Sequence, residues 1–595
     1  MRYSLLRWRG LVVVLLIVLL AACGSGDKSG RKDPHGDIQL VGLTRVSDEA
    51  WDETAVRKVL HLFAYGSFAS DRQIAAWADM PPERAIVEII HVGPRNAKLS
   101  PPDNTAAFGP DGTLRGLSEY WSSPRSPLPE GRRTAYDSDA WRAPGRVWTL
   151  AATMPGLNPV RQKIGLWETN YHMAVNQGVG VGNAQIIRYY DQIMNDLAAA
   201  RPYHEVIAGA AASAAVTRQY GHHNNRFRSG VFSGNEDFAR EYHQLFFGIL
   251  GQDDRDQDYH ELVSIKNTAR ALTGMSYDPD DNSRLHYGSE EHYLSDLEIL
   301  NTQITGGNAR EKLFNLAAVA IDHPHSQENL PLMIVRTLAD DNLQADSAKA
   351  RALQDYWASI NPKDLVTFLR GYAISEEFHS PERVKYYTSI DRNLIIANRL
   401  TLSSEERLLN FYNANIHSME GADPFLPKHD VFGGQTGEEA STSGDVFRNA
   451  YNVSTEGSWR FERVHLVEDE EIVFTKDWRP VLPRGANGYR VEEVAEWLWQ
   501  RFIADGHKHF GPLERVHVYA LLARGEDPTQ AWSLDPEEVI SPADLAPGGR
   551  HELLFHDLSN GYLFQGTTPE VGNRNIGRAI AFIISTPYMF AQEGR

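Results

Sequence analysis

Ile186-Ile187-Arg188-Tyr189-Tyr190-Asp191-Gln192-Ile193-Met194-Asn195-Asp196-Leu197 is the stretch that decides the fold class. Its apolar residues Ile186, Tyr190, Ile193 and Leu197 fall at i, i+4, i+7 and i+11, the one-sided stripe of a helix with 3.6 residues per turn. Leu262, Ile265, Ala269 and Leu272 repeat the pattern, with Asp258 and Glu261 placed to cap the helix and Gly274 suited to a left-handed exit. Upstream, Val56, Val59, Leu60 and Phe63, then Ile74, Trp77, Ile86 and Ile90, fit two or three short helices around a turn at Gly66. Downstream, helices are predicted over residues 309–321, 330–338, 348–360 and 381–398. A further one is marked by Val491, Val494, Ala495, Leu498 and Phe502 and ended by Gly506. Residues 101–145 are rich in Pro, Gly and Ser and read as a long loop. Residues 421–487 change to Gly, Ser and Thr clusters with short β-like runs at 464–467 and 471–475. The expected fold is mainly α, a multi-helical, bundle-like body with a small β-containing region.

The N-terminus carries a different signal. Arg2, Arg7 and Arg9 precede an apolar run over residues 11–20, the charged and apolar regions of an export signal. That run is too short to span a bilayer, which takes about 20 apolar residues in a helix. Leu20-Ala21-Ala22-Cys23 resembles the lipobox of bacterial lipoproteins, which implies cleavage before Cys23, lipid on its thiol and a membrane anchor. Gly24 and Ser25 follow the cysteine, and in lipoproteins of Gram-negative type this implies passage to the outer membrane. Cys23 is the sole cysteine, so no disulfide forms within the chain. Loss of residues 1–22 removes three arginines and takes the formal charge from −19 to −22, which disfavours nucleic acid as a partner. The expected organisation is a signal peptide (1–22), a flexible tether (23–47), a helical domain (48–402), an irregular region containing β-structure (403–490) and a C-terminal helical region of the same fold (491–595).

Several segments resemble an uncharacterised family of exported bacterial proteins, domain of unknown function 1800. Arg57-Lys58-Val59-Leu60-His61-Leu62-Phe63-Ala64-Tyr65-Gly66-Ser67-Phe68 is similar to the family's opening leucine-rich turn, with Tyr-Gly where the family has Phe-Gly. Leu166-Trp167-Glu168-Thr169-Asn170-Tyr171-His172 resembles its Phe-Trp-x-Asn-His segment, with one extra residue between Asn170 and His172. Asn235-Glu236-Asp237-Phe238-Ala239-Arg240-Glu241, followed by Ala269-Arg270-Ala271-Leu272-Thr273-Gly274, matches best. Asp364-Leu365-Val366-Thr367-Phe368-Leu369-Arg370 and Ser375-Glu376-Glu377-Phe378 resemble its late helix and ending, and Ser585-Thr586-Pro587-Tyr588-Met589-Phe590 echoes its C-terminus. The chain departs from the family after the Leu-Thr-Gly segment: a His-Asp pair followed by Lys is usual there, whereas His292 is followed by Tyr293. The resemblance implies a helical architecture and an exported setting, and brings no established activity. The family's genes commonly neighbour those of domain of unknown function 1501, a sulfatase-like exported family, which implies an envelope protein partner.

Among site candidates, Glu236, Arg240 and His243 occur at i, i+4 and i+7, opposite Phe238, Tyr242 and Leu245. A carboxylate, a guanidinium and an imidazole on one face suit an anionic or sugar-like ligand or a general acid or base, with Trp167, Asn170 and His172 able to join them. The structural alternative is a capping box from Ser233 to Glu236 and an ordinary Glu236–Arg240 ion pair. Asp278-x-Asp280-x-Asn282 copies three ligand positions of a calcium loop, but Ser283 and Ser289 replace its Gly and Glu, favouring a helix-linking turn. His222-His223 and His323-Pro324-His325 do not have zinc-protease spacing. Serine-hydrolase, phosphate-loop and cysteine-nucleophile signatures are absent, and no cofactor is indicated. Two readings follow: a lipid-anchored helical binding or assembly protein of the cell envelope, or an envelope hydrolase, metal-assisted, working on the 235–241 helix.

Overall fold

Asp52 starts the first helix, Glu53–Ala64, by accepting the Ala55 amide at 2.8 Å, and Tyr65 and Gly66 end it in the left-handed region. The computed structural model describes residues 33–100, 143–250, 261–288, 290–400, 423–429, 436, 439, 462–467, 470–475, 477–535 and 537–594. The signal segment, Cys23 and most of the 101–145 loop lie outside them. No helix among the described residues is long and apolar enough to cross a membrane. From Asp37 onward the chain is one unit.

The body is mainly helical, and its strands among the described residues form six separate two-stranded antiparallel pairs. Helix Glu53–Ala64 packs on Asp71–Ala78 and Pro159–Trp167, Tyr203–Ala211 on Ala309–Ile321, and Pro512–Arg524 on Pro569–Ser585. The apolar stripes read from sequence face this core: Ile186, Tyr190, Ile193 and Leu197 are all buried. Strand Ala591–Glu593 pairs with Val384–Tyr386, in register Gln592 to Lys385, and so joins the last residues to the body. Two buried arginines tie the helix Ser389–Arg399 to the helix Val491–Phe502: Arg399 Nε donates to the Arg501 carbonyl at 3.2 Å, and Arg501 Nε to the Arg399 carbonyl at 2.5 Å.

Four local features differ from expectation. Residues 381–398 are not one helix: Val384–Tyr386 pairs with Ala591–Glu593 as a strand, Tyr386 donates its amide to the Asp341 carboxylate, and the helix starts at Ser389 behind a Thr388–Asp391 capping box. The helix expected at 330–338 starts earlier, at Pro324, because proline suits a first turn. Residues 261–265 form a π turn ahead of the Lys266–Ala271 helix, and Asp258 lies outside the described residues. Ahead of Asp48, Val46 donates to the Ile374 carbonyl and Thr44 to the Glu377 carboxylate, so these residues belong to the body and not to a tether. The β-like runs do form a hairpin, Glu462–Val467 on Glu470–Thr475.

Gly66 offers a local test. A Cβ there would meet the Arg399 side chain at 3.0 Å on a backbone already at φ +72°. Gly66→Ala is expected to cost about 1–2 kcal/mol of unfolding free energy by urea titration, the order of the penalty for a left-handed L-residue with some crowding added. An unchanged midpoint would show that the turn relaxes freely.

Candidate functional site

Asn158 caps the helix Pro159–Trp167, which runs directly into a π turn, Glu168–His172. The wide turn lies in the segment that carries one residue more than the family pattern, and single-turn π bulges recur at functional sites. It aims Glu168 and His172 into the core together. His172 Nδ1 lies 2.9 Å from Glu168 Oε2, its Nε2 donates to the Phe246 carbonyl at 3.0 Å, and Tyr203 donates its hydroxyl to Glu168 Oε1 at 2.9 Å. The imidazole is stacked on Trp167, with centroids 5.1 Å apart and planes 22° apart. Asn170 turns the other way, accepting the Phe425 amide at 2.8 Å and donating to the Asp423 carbonyl, which pins residues 423–425 to the body.

The outer side of Trp167 lines a cavity of about 270 Å³, shared with Tyr65, Lys163, Tyr171, Thr337, Asp341, Lys385, Thr388 and Asp391. Trp167 is held in place by donating its indole N–H to Thr337 Oγ1 at 2.8 Å. Two ion pairs border the space: Lys163 to Asp391 at 2.5 Å and Lys385 to Asp341 at 2.8 Å. Burial pushes the Asp391 carboxyl up, but the Lys163 ammonium and the Thr388 hydroxyl more than offset this and hold it below the usual range. Lys385 is saturated, since it also donates to the Thr337 and Arg336 carbonyls. Lys163 uses one donor on Asp391 and lies over the Tyr65 ring at 5.2 Å from its centroid. Tyr65 is 1% exposed, and its hydroxyl has no hydrogen-bond partner among the described residues. Burial raises the Tyr65 hydroxyl well above its ordinary pKa, so it is a neutral donor and acceptor.

A family model described as "Protein of unknown function (DUF1800)" matches residues 58–413, well over half of the chain. The chain belongs to this family. No curated protein and no solved structure matches it. Within the DUF1800 segments, Tyr65 comes from the opening turn and Trp167 and Tyr171 from the second segment; Asp391 follows the Ser-x-Glu-Phe ending. The cavity is thus where two of the resembling segments meet, with Asp391 beyond a third.

The residues singled out on the 235–241 helix do not meet there. Glu236 and Arg240 form a half-exposed pair at 3.7 Å, and Glu236 makes no capping bond. His243 is not on their face. A π turn at Tyr242–Phe246 shifts the register and puts it in the core, with Nε2 at 2.9 Å from Thr268 Oγ1, while Phe238 and Tyr242 are buried as expected. Burial lowers its pKa to about 3. The four candidates are therefore divided: Glu236 and Arg240 at the surface, His172 and His243 inside. Asp278, Asp280 and Asn282 lie in the turn of a β-hairpin, Met275–Tyr277 on Leu285–Tyr287, and not between helices. The Asp278 carboxylate accepts the Asp280 amide at 2.9 Å, a local turn bond. Among the described residues, no group of three or more His, Cys, Asp or Glu is placed to hold a metal.

Two lysines were not visible from sequence. Lys163 is one. Lys312 is the other: it reaches the Tyr293 and Ser295 carbonyls beside His292, so a buried lysine stands near that histidine although none follows it in the family position. Burial lowers Lys312 to about 8.

Proposed function

We propose that this chain is a lipid-anchored binding protein of the cell envelope, and that its ligand is a small, uncharged, polyhydroxylated molecule held in the Tyr65–Lys163–Trp167 cavity. The observation that carries this reading is Tyr65, which lines the cavity and whose buried hydroxyl has no hydrogen-bond partner among the described residues. Buried polar atoms are nearly always satisfied, so an orphan on a residue that lines a cavity points to a ligand atom able to reach it. Both buried lysines bordering the space already have a carboxylate partner, so neither offers an unpaired charge to a ligand, and the third cation on the wall, Arg336, is exposed and donates its Nε to the Leu343 carbonyl. What remains is the Tyr65 hydroxyl, the spare donors of Lys163 and the Trp167 ring, a set suited to hydroxyl groups on an apolar ring. The lipobox-like residues 20–23 support the anchor and the export signal supports the envelope setting.

Calorimetry and thermal shift with a panel of monosaccharides, disaccharides and cyclic polyols, on the chain from Gly24 onward, test the ligand class. Tyr65→Phe is expected to weaken binding by roughly tenfold, the worth of one buried hydrogen bond. It should leave unfolding free energy unchanged or raised by up to about 1 kcal/mol, because the hydroxyl it removes is unsatisfied. Failure of every neutral polyol, with a response to a charged metabolite instead, would overturn the reading. Replacing Cys23 by serine should move the protein from the membrane to the soluble fraction and abolish incorporation of labelled fatty acid.

A further inference from the structure

The strand Val384–Tyr386 separates two unlike spaces. Successive side chains of a strand point to opposite faces, and while Lys385 borders the polar cavity, Val384 and Tyr386 line a larger cleft of about 630 Å³. Its other walls are the opening helix and two C-terminal stretches, 502–509 and 585–593, which lie beyond the family match. Phe502, Ile503, Pro587 and Phe590 make most of its surface apolar.

One charged group breaks that surface. Lys58 lines the cleft and is 4% exposed. A lysine ammonium has three donors, and the one side-chain bond Lys58 makes among the described residues goes to the Gly594 carbonyl at 2.5 Å. Among the described residues, no carboxylate lies within ion-pair distance of Lys58. Glu593, on the same wall, is engaged by Lys508, and Asp505 accepts the Trp499 indole and the His507 and His509 amides. Burial, with the positive potential of Arg383 and Lys508 added to it, lowers Lys58 to about 8, while Asp505 and Glu593 raise it in smaller measure. A buried cation with spare donors at the wall of an apolar cleft is a site awaiting an anion, because buried charges are otherwise paired.

We propose that this cleft is a second binding site, which takes a single-chain amphiphilic carboxylate with its head group on Lys58 Nζ and its chain along Phe502, Ile503, Pro587 and Phe590. The contrast with the polar cavity is chemical: there each buried lysine has its own carboxylate, whereas here the ligand supplies it.

The test uses three probes of equal chain length, dodecanoate, dodecanol and dodecyltrimethylammonium, on the chain from Gly24 onward at monomeric concentrations. Dodecanoate is expected to bind tightest. Lys58→Met should weaken it by roughly tenfold or more, the worth of a charge-assisted bond, and leave dodecanol nearly unchanged. Dodecanoate should also bind more weakly at pH 9 than at pH 7, as the ammonium discharges. Ala504 lines the cleft, so Ala504→Trp should fill it and abolish both carboxylate and alcohol binding even if Lys58→Met fails to fold. Equal affinity for the ammonium and carboxylate probes, full dodecanoate affinity in folded Lys58→Met, or full affinity in folded Ala504→Trp would each overturn the proposal. None of these variants touches the Tyr65 cavity, so polyol binding there stands or falls separately.

Discussion

Asp391→Ala should lower the unfolding free energy by about 3–5 kcal/mol, the range found when one partner of a buried ion pair is removed. The reasons are separable. Lys163 would be left as a buried ammonium with its carboxylate gone. The helix Ser389–Arg399 would also lose the reciprocal half of its capping box, since Asp391 Oδ2 accepts the Thr388 amide and hydroxyl at 3.2 and 2.9 Å, a contribution of about 1 kcal/mol, while Thr388 Oγ1 still accepts the amide of residue 391. A double variant, Lys163→Met with Asp391→Leu, should recover most of the loss, because a well-packed apolar pair replaces a buried ionic one at little cost. It should remain about 1 kcal/mol short of the parent, the missing half of the capping box. Chemical denaturation followed by circular dichroism at pH 7 measures all three. If Asp391→Ala and the double variant are equally unstable, the ion pair is not the source of the loss. The sign of the pH effect follows from the lowered folded pKa of Asp391: its stabilisation is complete above the ordinary carboxylate value near 4 and disappears as pH falls through the folded value.

The same pair shows why the sequence reads so unevenly. Helices with one-sided apolar stripes were legible, and Ala309–Ile321 appears with the limits its pattern predicts, because a 3.6-residue period is a local property. The hairpin at 462–475 was legible from β-like runs for the same reason. The site was not. Lys163 and Asp391 are 228 residues apart, and each taken alone reads as a solvated charge on a helix. The π turns hid the rest. A helical wheel assumes a fixed period, and the wide turn at Tyr242–Phe246 carries His243 off the face shared by Glu236 and Arg240. The one residue that departs from the family spacing before His172 was the visible trace of the other π turn, which sets the Glu168–His172 pair behind Trp167. Local periodicity therefore located the framework, while the breaks in periodicity marked the chemistry.

Acid should destabilise this protein well before its carboxylates titrate, and the cause is buried imidazole. His222 and His243 lie in the core, and burial lowers each to about 3, with His223 and His323 respectively adding positive potential; His61 is lowered in the same direction by burial and by Arg399 and Arg57. In the unfolded chain these groups titrate near 6.5, so below that pH the unfolded state binds protons that the folded state refuses. Stability is complete above about pH 6.5 and is lost as pH falls towards the folded values. Each histidine costs 1.36 kcal/mol per pH unit over that window, so His222 and His243 together account for about 5 kcal/mol between pH 6.5 and 4.5. That is comparable with the whole stability of many domains. His243→Gln removes one of these proton uptakes. It is expected to be less stable than the parent at pH 7.5, where the bond to Thr268 is disturbed, and to lose stability less steeply on acidification, by about 1.4 kcal/mol per unit between pH 5.5 and 4.5. Urea midpoints at half-unit pH steps measure both slopes. Parallel curves for parent and variant would mean that His243 takes up its proton without unfolding, and that the core around Thr268 admits water.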